Sequence, residues 1–283
     1  MTALSILHGL SEIADDYDAL LCDAWGVIHN GRALFDGVVE ALQRFREQRG
    51  PVIILTNAPK PSAIIPGQLD RLGLPRDAYD AVVTSGEATR AEIAKRLPAR
   101  AYAIGWTSDT ALYEGLSIAF DELDAAGFIV CTGIAEEGPS EPDDYRSLLK
   151  PAAAAGKTMI CANPDIVVNW RGELMWCAGA VARVYEDLGG PVVYAGKPYP
   201  AVYELALQEI AKARGAAVSA SRILAVGDGA GTDILGANQQ GIDAVYVAGA
   251  GGVHTGDATP EDIAAALKDA GATARAATSA LKW

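Results

Sequence analysis

The sequence predicts an α/β fold: a core with a doubly wound, mostly parallel sheet, into which a second α/β unit is inserted. Short runs rich in Val and Ile alternate with amphipathic stretches, which is typical of β-α units around a parallel sheet. Several of these runs end on a polar or charged residue that is followed by a turn containing Gly or Asn. Such endings occur both before and after residues 97–190, so that segment is predicted to be an insertion.

Amphipathic stretches between the apolar runs are the predicted helices of the main domain. Residues 37–50 place Val38, Leu42 and Phe45 on one helical face. Residues 200–215 begin with Pro and end with Gly, which is the expected asymmetry of a helix. The predicted strands of this domain are 18–22, 52–56, 81–85, 192–195, 222–226 and 243–247.

The middle of the chain has predicted strands and helices of its own, as expected for a separate α/β unit. Its predicted limits, 97 and 190, leave residues 1–96 and 191–283 to form the main domain. Residues 258–283 begin with the Thr-Pro-Glu start of a helix and are rich in Ala, so we expect a surface helix followed by a less ordered end. The predicted strands of the middle unit are 101–106, 127–133 and 158–163, and its predicted helices are 143–156 and 178–190.

Composition disfavours several classes of partner. The 283 residues include 23 Lys and Arg against 36 Asp and Glu, a net charge of -13, which disfavours nucleic acid and anionic membranes as partners. No apolar run approaches the roughly 20 residues of a membrane-spanning helix, and the first residues lack the basic start of a signal peptide. The four cysteines form no C-x-x-C pair and suit a reducing compartment, so a cytoplasmic protein is expected.

Polar residues at predicted strand ends give the first indication of a functional site. Asp23 follows one apolar run, Thr56 and Asn57 end another, and Lys197 comes shortly after a third. Because the carboxyl ends of parallel strands share one edge of an open sheet, where ligands bind, these side chains are expected to converge.

The segment 226–243 adds two carboxylates to this edge. Asp228 and Asp233 lie on either side of a Gly-rich turn, and two carboxylates at one strand end suit a hard cation such as Mg²⁺. The glycines are spaced G-x-G-x-G rather than G-x-G-x-x-G, and Asp228 would repel a pyrophosphate. The turn therefore does not favour a dinucleotide-binding site.

Together these segments resemble the motifs of the haloacid dehalogenase superfamily of phosphatases, and within it subfamily IIA, the nitrophenylphosphatase and NagD-like enzymes. Asp23 matches the nucleophile of the first motif, and Thr56-Asn57 in ILTNAP match the second. Lys197 in AGKPYP matches the third motif. The fourth motif is matched by Asp228 and Asp233 in GDGAGTDILGA.

The resemblance extends to the middle of the chain. The subfamily carries a large α/β cap domain between its second and third motifs, where residues 97–190 lie. Residues 161–168, CANPDIVV, resemble the Asn-Pro-Asp segment of that cap. Caps of this type often form subunit contacts in the family, so the resemblance also implies a homodimer.

The resemblance implies a Mg²⁺-dependent phosphatase or phosphotransferase for a small phosphorylated metabolite. Asp23 would attack phosphorus and form an aspartyl-phosphate. Asp23, the backbone carbonyl of Trp25 and Asp228 would hold the metal, while Asp233 would orient metal-bound water or Lys197. The implied catalytic residues are Asp23, Lys197 and Asp233, and the implied substrate-binding residues are Thr56, Asn57, Asn163, Asp165 and Lys197.

Trp25 departs from the family's first motif, which is usually Asp-x-Asp. The second Asp protonates the leaving oxygen and then activates water, whereas an indole N–H neither gives nor takes a proton near neutral pH. General acid-base catalysis contributes roughly 10²- to 10⁴-fold in rate. The metal site is expected to survive, because the ligand at this position is a main-chain carbonyl. The loss should affect alkyl phosphates most.

Three hypotheses follow from this departure. The first is a phosphatase that favours aryl or acyl phosphates, or that takes a proton from His29, Asp165 or the substrate. The second is a binding or regulatory protein that keeps the phosphate pocket with negligible turnover. The third is a dehalogenase-type hydrolase, in which Asp23 attacks an alkyl carbon; it is disfavoured because that chemistry does not call for the metal ligand Asp228.

Overall fold

The computed structural model describes residues 4–105, 107–135, 137–170, 173–249 and 258–283. Its strands form a seven-stranded sheet, a four-stranded sheet and a two-stranded hairpin. The strands are β1 (Ser5–Ile6), β2 (Ala19–Cys22), β3 (Val52–Thr56), β4 (Ala81–Thr84), β5 (Ala101–Ile104), β6 (Phe128–Cys131), β7 (Thr158–Cys161), β8 (Val167–Trp170), β9 (Glu173–Trp176), β10 (Val192–Tyr194), β11 (Ile223–Gly227), β12 (Asp243–Val247) and β13 (Ala276–Thr278).

Helices connect these strands, as the alternating pattern predicts. The apolar face predicted for the first helix is confirmed, since Val38, Leu42 and Phe45 are fully buried. The helices are α1 (Val38–Gln48), α2 (Ile65–Leu72), α3 (Ser85–Ala94), α4 (Arg146–Ala154), α5 (Ala178–Asp187), α6 (Pro200–Arg214), α7 (Leu235–Gln239) and α8 (Pro260–Ala270). In the described part of the chain, no helix combines the length and apolar character needed to cross a membrane.

The seven-stranded sheet has the order β1-β13-β12-β11-β2-β3-β4, and all its pairings are parallel. Side chains of β2 alternate between two cores: Leu20 and Cys22 pack with α1, while Ala19 and Leu21 pack with α6 and α8. A strand buried on both faces reads as a continuous apolar run. The predicted doubly wound α/β class is therefore confirmed.

The end of the chain differs from the prediction. Residues after α8 were expected to be less ordered, but Ala276–Thr278 form strand β13 between β12 and β1. Ala276 and Ala277 are almost completely buried there. Alanine has little β-propensity, so the position inside the sheet, rather than the local sequence, determines this strand.

The four-stranded sheet has the order β10-β7-β6-β5 and is also parallel. Helices α4 and α5 pack on it and share a core with residues such as Ile129, Met159 and Val181. An antiparallel hairpin, β8 and β9, follows β7. We call this sheet, its helices and the hairpin the second unit.

Strand β10 corrects one prediction. The run 192–195 was assigned to the main sheet, but Val192 lies opposite Met159 of β7, so the strand belongs to the four-stranded sheet. A run of three apolar residues carries no signal of which sheet it joins. The division into 1–96 with 191–283 and an inserted 97–190 remains a prediction, and β10 places the return of the chain beyond residue 194.

Candidate active site

Asp23 lies at the carboxyl end of β2, an interior strand of the seven-stranded sheet next to its central strand, β11. Cys22 is in register with Val226 of β11, and the Asp23 N–H donates to the Val226 carbonyl at 2.9 Å. The ends of β2 and β11 are thus fixed beside each other, and Asp228 follows β11 directly. Both carboxylates are buried, at 7% exposure.

The Lys197 side chain reaches this point from the chain that follows β10. Its Nζ lies 2.6 Å from Asp23 Oδ1 and 2.6 Å from Asp233 Oδ1, and it donates to the Leu55 carbonyl at 3.0 Å. Lys197 is only 3% exposed, and a buried ammonium requires such partners. Its three N–H groups are therefore all engaged.

Asp233 lies in the π-helical turn Ala230–Ile234 after β11. Its Oδ1 accepts from Lys197, and its Oδ2 accepts from the Gly229 N–H at 3.0 Å. A Cβ on Gly227 would lie 2.1 Å from the Asp233 Cβ, so glycine at the strand end lets the turn fold back closely. Asp233 thus contacts Lys197, and its role in orienting Lys197 or metal-bound water stays a prediction.

The carboxylates of Asp23, Asp228 and Asp233 can each place an oxygen within 4.8 Å of the others. One ammonium, that of Lys197, stands against three buried carboxylates. Hard oxygen donors grouped in this way fit a divalent cation such as Mg²⁺. Two of the predicted metal ligands, Asp23 and Asp228, are thus brought together, and Trp25, the third, lines the same cavity.

Burial and the neighbouring opposite charges shift the pKa values of Asp23 and Lys197 in opposite directions. The pKa of Asp23 is raised to about 7, because burial and the Asp233 carboxylate raise it by more than Lys197 lowers it. Burial acts to lower the pKa of Lys197, but the two carboxylates outweigh it and hold that pKa well above its usual value. Lys197 therefore stays charged, and a nearby cation would favour the carboxylate form of Asp23.

Asn57 joins the two parts of the site. Its Oδ1 accepts from the Lys197 N–H at 2.8 Å, and its Nδ2 donates to Asp165 Oδ1 at 3.0 Å and to the Lys197 carbonyl at 3.3 Å. Asp165 belongs to the second unit, between β7 and β8. Asn163 forms an Asx turn there, its Oδ1 accepting from the Asp165 N–H at 3.1 Å. Burial raises the pKa of Asp165.

Thr56 ends β3 beside Asn57. It is buried, at 6% exposure, and its Oγ1 accepts from the Ala58 N–H at 3.3 Å. The predicted substrate-binding residues Thr56, Asn57, Asn163, Asp165 and Lys197 all line one cavity of about 240 Å³ together with Asp23, Asp228 and Asp233.

Trp25 closes another side of this cavity. Its ring meets the His29 ring edge-on, with centroids 5.3 Å apart. Gly31 has a φ of +81°, and a Cβ there would lie 2.3 Å from Trp25 Cη2, so the indole fills space that only glycine leaves open. Trp25 packs against the loop that follows it.

His29 is a poor substitute for the missing acid. Burial lowers its pKa to about 4, and its Nδ1 accepts from the Gly31 N–H at 3.1 Å. The ring is therefore neutral near neutral pH and held within its own loop. Of the two side chains suggested as proton donors, Asp165 lies in the cavity.

Sequence reasoning missed the apolar wall of the cavity. Val167 and Val168 of β8 and Leu174 of β9 line it together with the charged cluster. Residues 167 and 168 directly follow the Asn-Pro-Asp segment that the sequence did single out. The alternation of the hairpin could have indicated a strand there, but its place over the cleft depends on tertiary packing.

Comparison with known proteins gives two family matches in this chain. A model described as haloacid dehalogenase-like hydrolase matches residues 20–119, and a second one, described as HAD-hydrolase-like, matches residues 194–270. A solved hydrolase of the haloacid dehalogenase-like family from Brucella suis is 42% identical, with a TM-score of 0.86, and covers 98% of this chain and 100% of its own.

Two curated relatives are more distant. A D-glycerol 3-phosphate phosphatase from Mycobacterium tuberculosis is 29% identical over 84% of this chain, which spans 65% of that relative's length. An acid sugar phosphatase from Staphylococcus epidermidis is 29% identical over 87% of this chain and 90% of its own. A solved glycerol phosphate phosphatase from Mycobacterium tuberculosis in complex with magnesium is 26% identical, with a TM-score of 0.64, over 86% of this chain and 70% of its own.

Proposed function

Because the chain belongs to the haloacid dehalogenase-like hydrolases, subfamily IIA, we propose that it is a Mg²⁺-dependent phosphatase that forms an aspartyl-phosphate on Asp23. The observation that carries this proposal is the buried cluster at the strand ends, where Lys197 bridges Asp23 and Asp233 beside Asp228. The names of the mycobacterial and staphylococcal relatives support a small phosphorylated metabolite as substrate.

The donor set supports the metal that the family implies. Asp23, Asp228 and the carbonyl of Trp25 would hold Mg²⁺, and the solved magnesium complex of the mycobacterial phosphatase supports that choice of ion. When bound, the ion would supply positive charge that reduces the repulsion between a carboxylate and a phosphate ester.

The first chemical step needs a fixed and ionised nucleophile. An oxygen of Asp23 forms the new bond to phosphorus, and the bond to the leaving oxygen breaks with its electron pair going to that oxygen. Lys197 holds Asp23 in place at 2.6 Å and keeps a positive charge beside it. Thr56 and Asn57 are proposed to bind the phosphoryl oxygens.

This chain differs from its family in the source of the proton for the leaving group. Trp25 supplies none, so the leaving oxygen departs as an anion unless Asp165 or solvent protonates it. Water that attacks the aspartyl-phosphate likewise finds no carboxylate at position 25 to take its proton. We therefore infer a preference for acidic leaving groups and a slow second step.

The same observation favours the alternative of a phosphate-ester-binding or regulatory protein with negligible turnover. Trp25 cannot act as acid, and His29 is neutral and hydrogen-bonded within its loop. Tight binding of 4-nitrophenyl phosphate without its hydrolysis would support this alternative, because that ester has a good leaving group and needs no acid.

A panel of phosphate esters with and without Mg²⁺, measured as released phosphate, tests the proposal. Asp23→Asn should lower kcat by at least about 10³-fold, because removing a nucleophile removes the covalent route. The matched control is Asp269→Asn, an exposed aspartate on α8, which should leave turnover unchanged. Turnover that survives Asp23→Asn would overturn the proposal, and strict Mg²⁺ dependence would exclude a dehalogenase-type reaction at carbon.

A further inference from the structure

Lys197 lies in a short segment that leads from the four-stranded sheet to α6. Strand β10 ends at Tyr194, and Tyr199 is the N-cap residue of α6, which packs on the seven-stranded sheet. The Ala195 N–H donates to the Cys161 carbonyl of β7 at 3.1 Å. The backbone around Lys197 is therefore attached to one sheet at its start and to the other at its end.

This segment is closely packed at Gly196. A Cβ added there would lie 2.4 Å from Asn57 Oδ1, 2.7 Å from Pro164 Cδ and 2.9 Å from Ser85 Cβ. The Lys197 N–H donates to the same Asn57 Oδ1 at 2.8 Å. The position of the Lys197 backbone thus depends on how closely separate segments of the chain pack around its neighbour.

Two tyrosines stack across the segment. The rings of Tyr194 and Tyr199 are nearly parallel, with 4° between their planes and 4.5 Å between their centroids. Tyr194 Oη donates to Glu186 Oε2 of α5 at 2.8 Å, and the Tyr199 N–H donates to the Gly196 carbonyl at 2.9 Å, which closes a turn that contains Lys197. Aromatic pairs favour the paired state by about two- to tenfold. The stack therefore keeps the two ends of the segment together.

The Lys197 ammonium has to be placed accurately. Its Nζ lies 2.6 Å from Asp23 Oδ1 and 2.6 Å from Asp233 Oδ1. A lysine side chain is a flexible four-carbon stem, so its end can be placed accurately only from a fixed backbone. In an active site a displacement of about 1 Å can lower the rate about 10²-fold.

On the basis of the proposed phosphatase function, we propose that Tyr194 and Tyr199 are positioning residues, whose stack fixes the backbone at Lys197 and through it the ammonium that contacts Asp23. The described residues that line the cavity include neither tyrosine. Loss of the stack should therefore lower kcat more than it raises KM.

The test measures kcat and KM for 4-nitrophenyl phosphate with Mg²⁺. Tyr199→Ala should lower kcat about tenfold, which is the upper range for an aromatic pair. Tyr199→Phe keeps a ring that can stack, so kcat should stay near that of wild type. Tyr194→Ala removes the same stack from its other ring and should cause the same loss as Tyr199→Ala.

Phe120→Ala is the matched control. Phe120 is 40% exposed, against 37% for Tyr199, and its ring pairs with that of Tyr113 at 4.9 Å. This change removes an aromatic pair from a segment that does not include Lys197, and it should leave kcat unchanged. An equal fall of kcat in Phe120→Ala and Tyr199→Ala would show a general effect of weaker packing and would overturn the proposal.

A double-mutant cycle in urea tests the same link without substrate. Tyr199→Ala should change the unfolding equilibrium constant less in Lys197→Met than in wild type, with a coupling of about threefold or more. Phe120→Ala and Lys197→Met should be additive. If Lys197→Met does not fold, Lys197→Arg takes its place, because it keeps the charge and changes the shape of the charged group.

The two measurements separate this inference from the function on which it rests. If wild type hydrolyses the ester and Tyr199→Ala keeps its kcat, or if Tyr199→Phe loses as much as Tyr199→Ala, the positioning role is wrong and the phosphatase proposal is unaffected. If wild type releases no phosphate but the cycle shows coupling, the phosphatase proposal is overturned and the stack still fixes Lys197. Additive losses of Tyr199→Ala and the Lys197 variant would overturn the positioning role in either case.

Discussion

The charged and the apolar residues that line the cavity differ in burial and in their contacts. We call them its charged side and its apolar side. The charged side consists of strand-end residues of the seven-stranded sheet and of Lys197, all buried and joined by contacts as short as 2.6 Å. The apolar side consists of one loop residue, Trp25, and a hairpin of the second unit with Leu174 73% exposed. A change on the charged side would break these buried contacts, whereas Leu174 is largely exposed.

The proposed reaction has two parts, bond formation to phosphorus and proton transfer to the leaving group, and the two sides would serve different parts. Under the proposed function, bond formation to phosphorus would depend on the charged side, whose residues match the family motifs. Under the same proposal, proton transfer to the leaving group would depend on position 25, where the chain has Trp25 and the family's first motif usually has Asp. A family match therefore supports the first part more strongly than the second.

Replacing Lys197 should cause the largest loss of stability. The change would test whether Lys197 holds the carboxylates of the charged side together. Lys197→Met leaves Asp23 and Asp233 buried together without their counter-charge, and breaking such a pair costs about 3–5 kcal/mol. Urea unfolding measures the loss, and activity should fall with it. Adding Asp233→Asn to Lys197→Met should recover part of the stability.

Lys212→Met is the matched control for this change. Lys212 forms an exposed pair with Glu209, and exposed pairs contribute about 0–1 kcal/mol. Equal losses in the two lysine variants would mean that the charged side is not held together by Lys197.

Restoring a carboxylate at position 25 should have the next largest effect and would sharpen the contrast between the two sides. Trp25→Asp should raise kcat/KM for glycerol 3-phosphate by about 10²-fold or more, because an alkoxide needs a proton as it leaves. Trp25→Asn controls for size and for loss of the indole, and it should give no such gain. An unchanged rate in Trp25→Asp would show that another group, with Asp165 as the first to examine, already supplies the proton.

Gly31→Ala should have a smaller effect and would break the apolar side without entering the cavity. A residue other than glycine at a φ of +81° costs about 1–3 kcal/mol, and the new methyl group would also press on the Trp25 ring. Gly189 has the same φ of +81° with no atom within 4 Å of an added Cβ, so Gly189→Ala carries the strain without the contact. Only Gly31→Ala should change the ratio of phenyl to acetyl phosphate turnover.

Metal removal should give the smallest of these effects and can be measured without any substrate. Mg²⁺ at ten times its Kd should stabilise the fold by about 1.4 kcal/mol, because it binds only the folded cluster. Thermal unfolding with Mg²⁺ and with EDTA should differ accordingly, and Asp228→Asn should abolish most of the difference. If Mg²⁺ still stabilises Asp228→Asn to the same extent, the metal does not bind at this cluster.

The sequence predicted the charged side of the cavity and most of the fold. Asp23, Asn57 and Asp228 each follow or end an apolar run, and the rule that parallel strands end at one edge is enough to bring them together. The apolar face of α1 could also be predicted, because its apolar residues recur at the spacing of a helix.

The remaining features depend on long-range packing. Strand β13 is an Ala-rich segment whose conformation is determined by its neighbours in the sheet, and β10 is too short to show which sheet it joins. Leu174 looks like any exposed leucine in the sequence, and only the position of the hairpin places it over the cleft.

The hydrogen bonds of the Asn57 side chain link the Lys197 backbone N–H to the second unit. Its amide is held at one end by the Lys197 N–H and at the other by Asp165 of the second unit. If the second unit moved away, Asn57 would lose its contact with Asp165, and the Lys197 N–H would exchange more readily with solvent. Deuterium uptake by a peptide spanning residues 195–199, compared between wild type and Asp165→Ala, would test whether the contact between Asn57 and Asp165 protects this N–H.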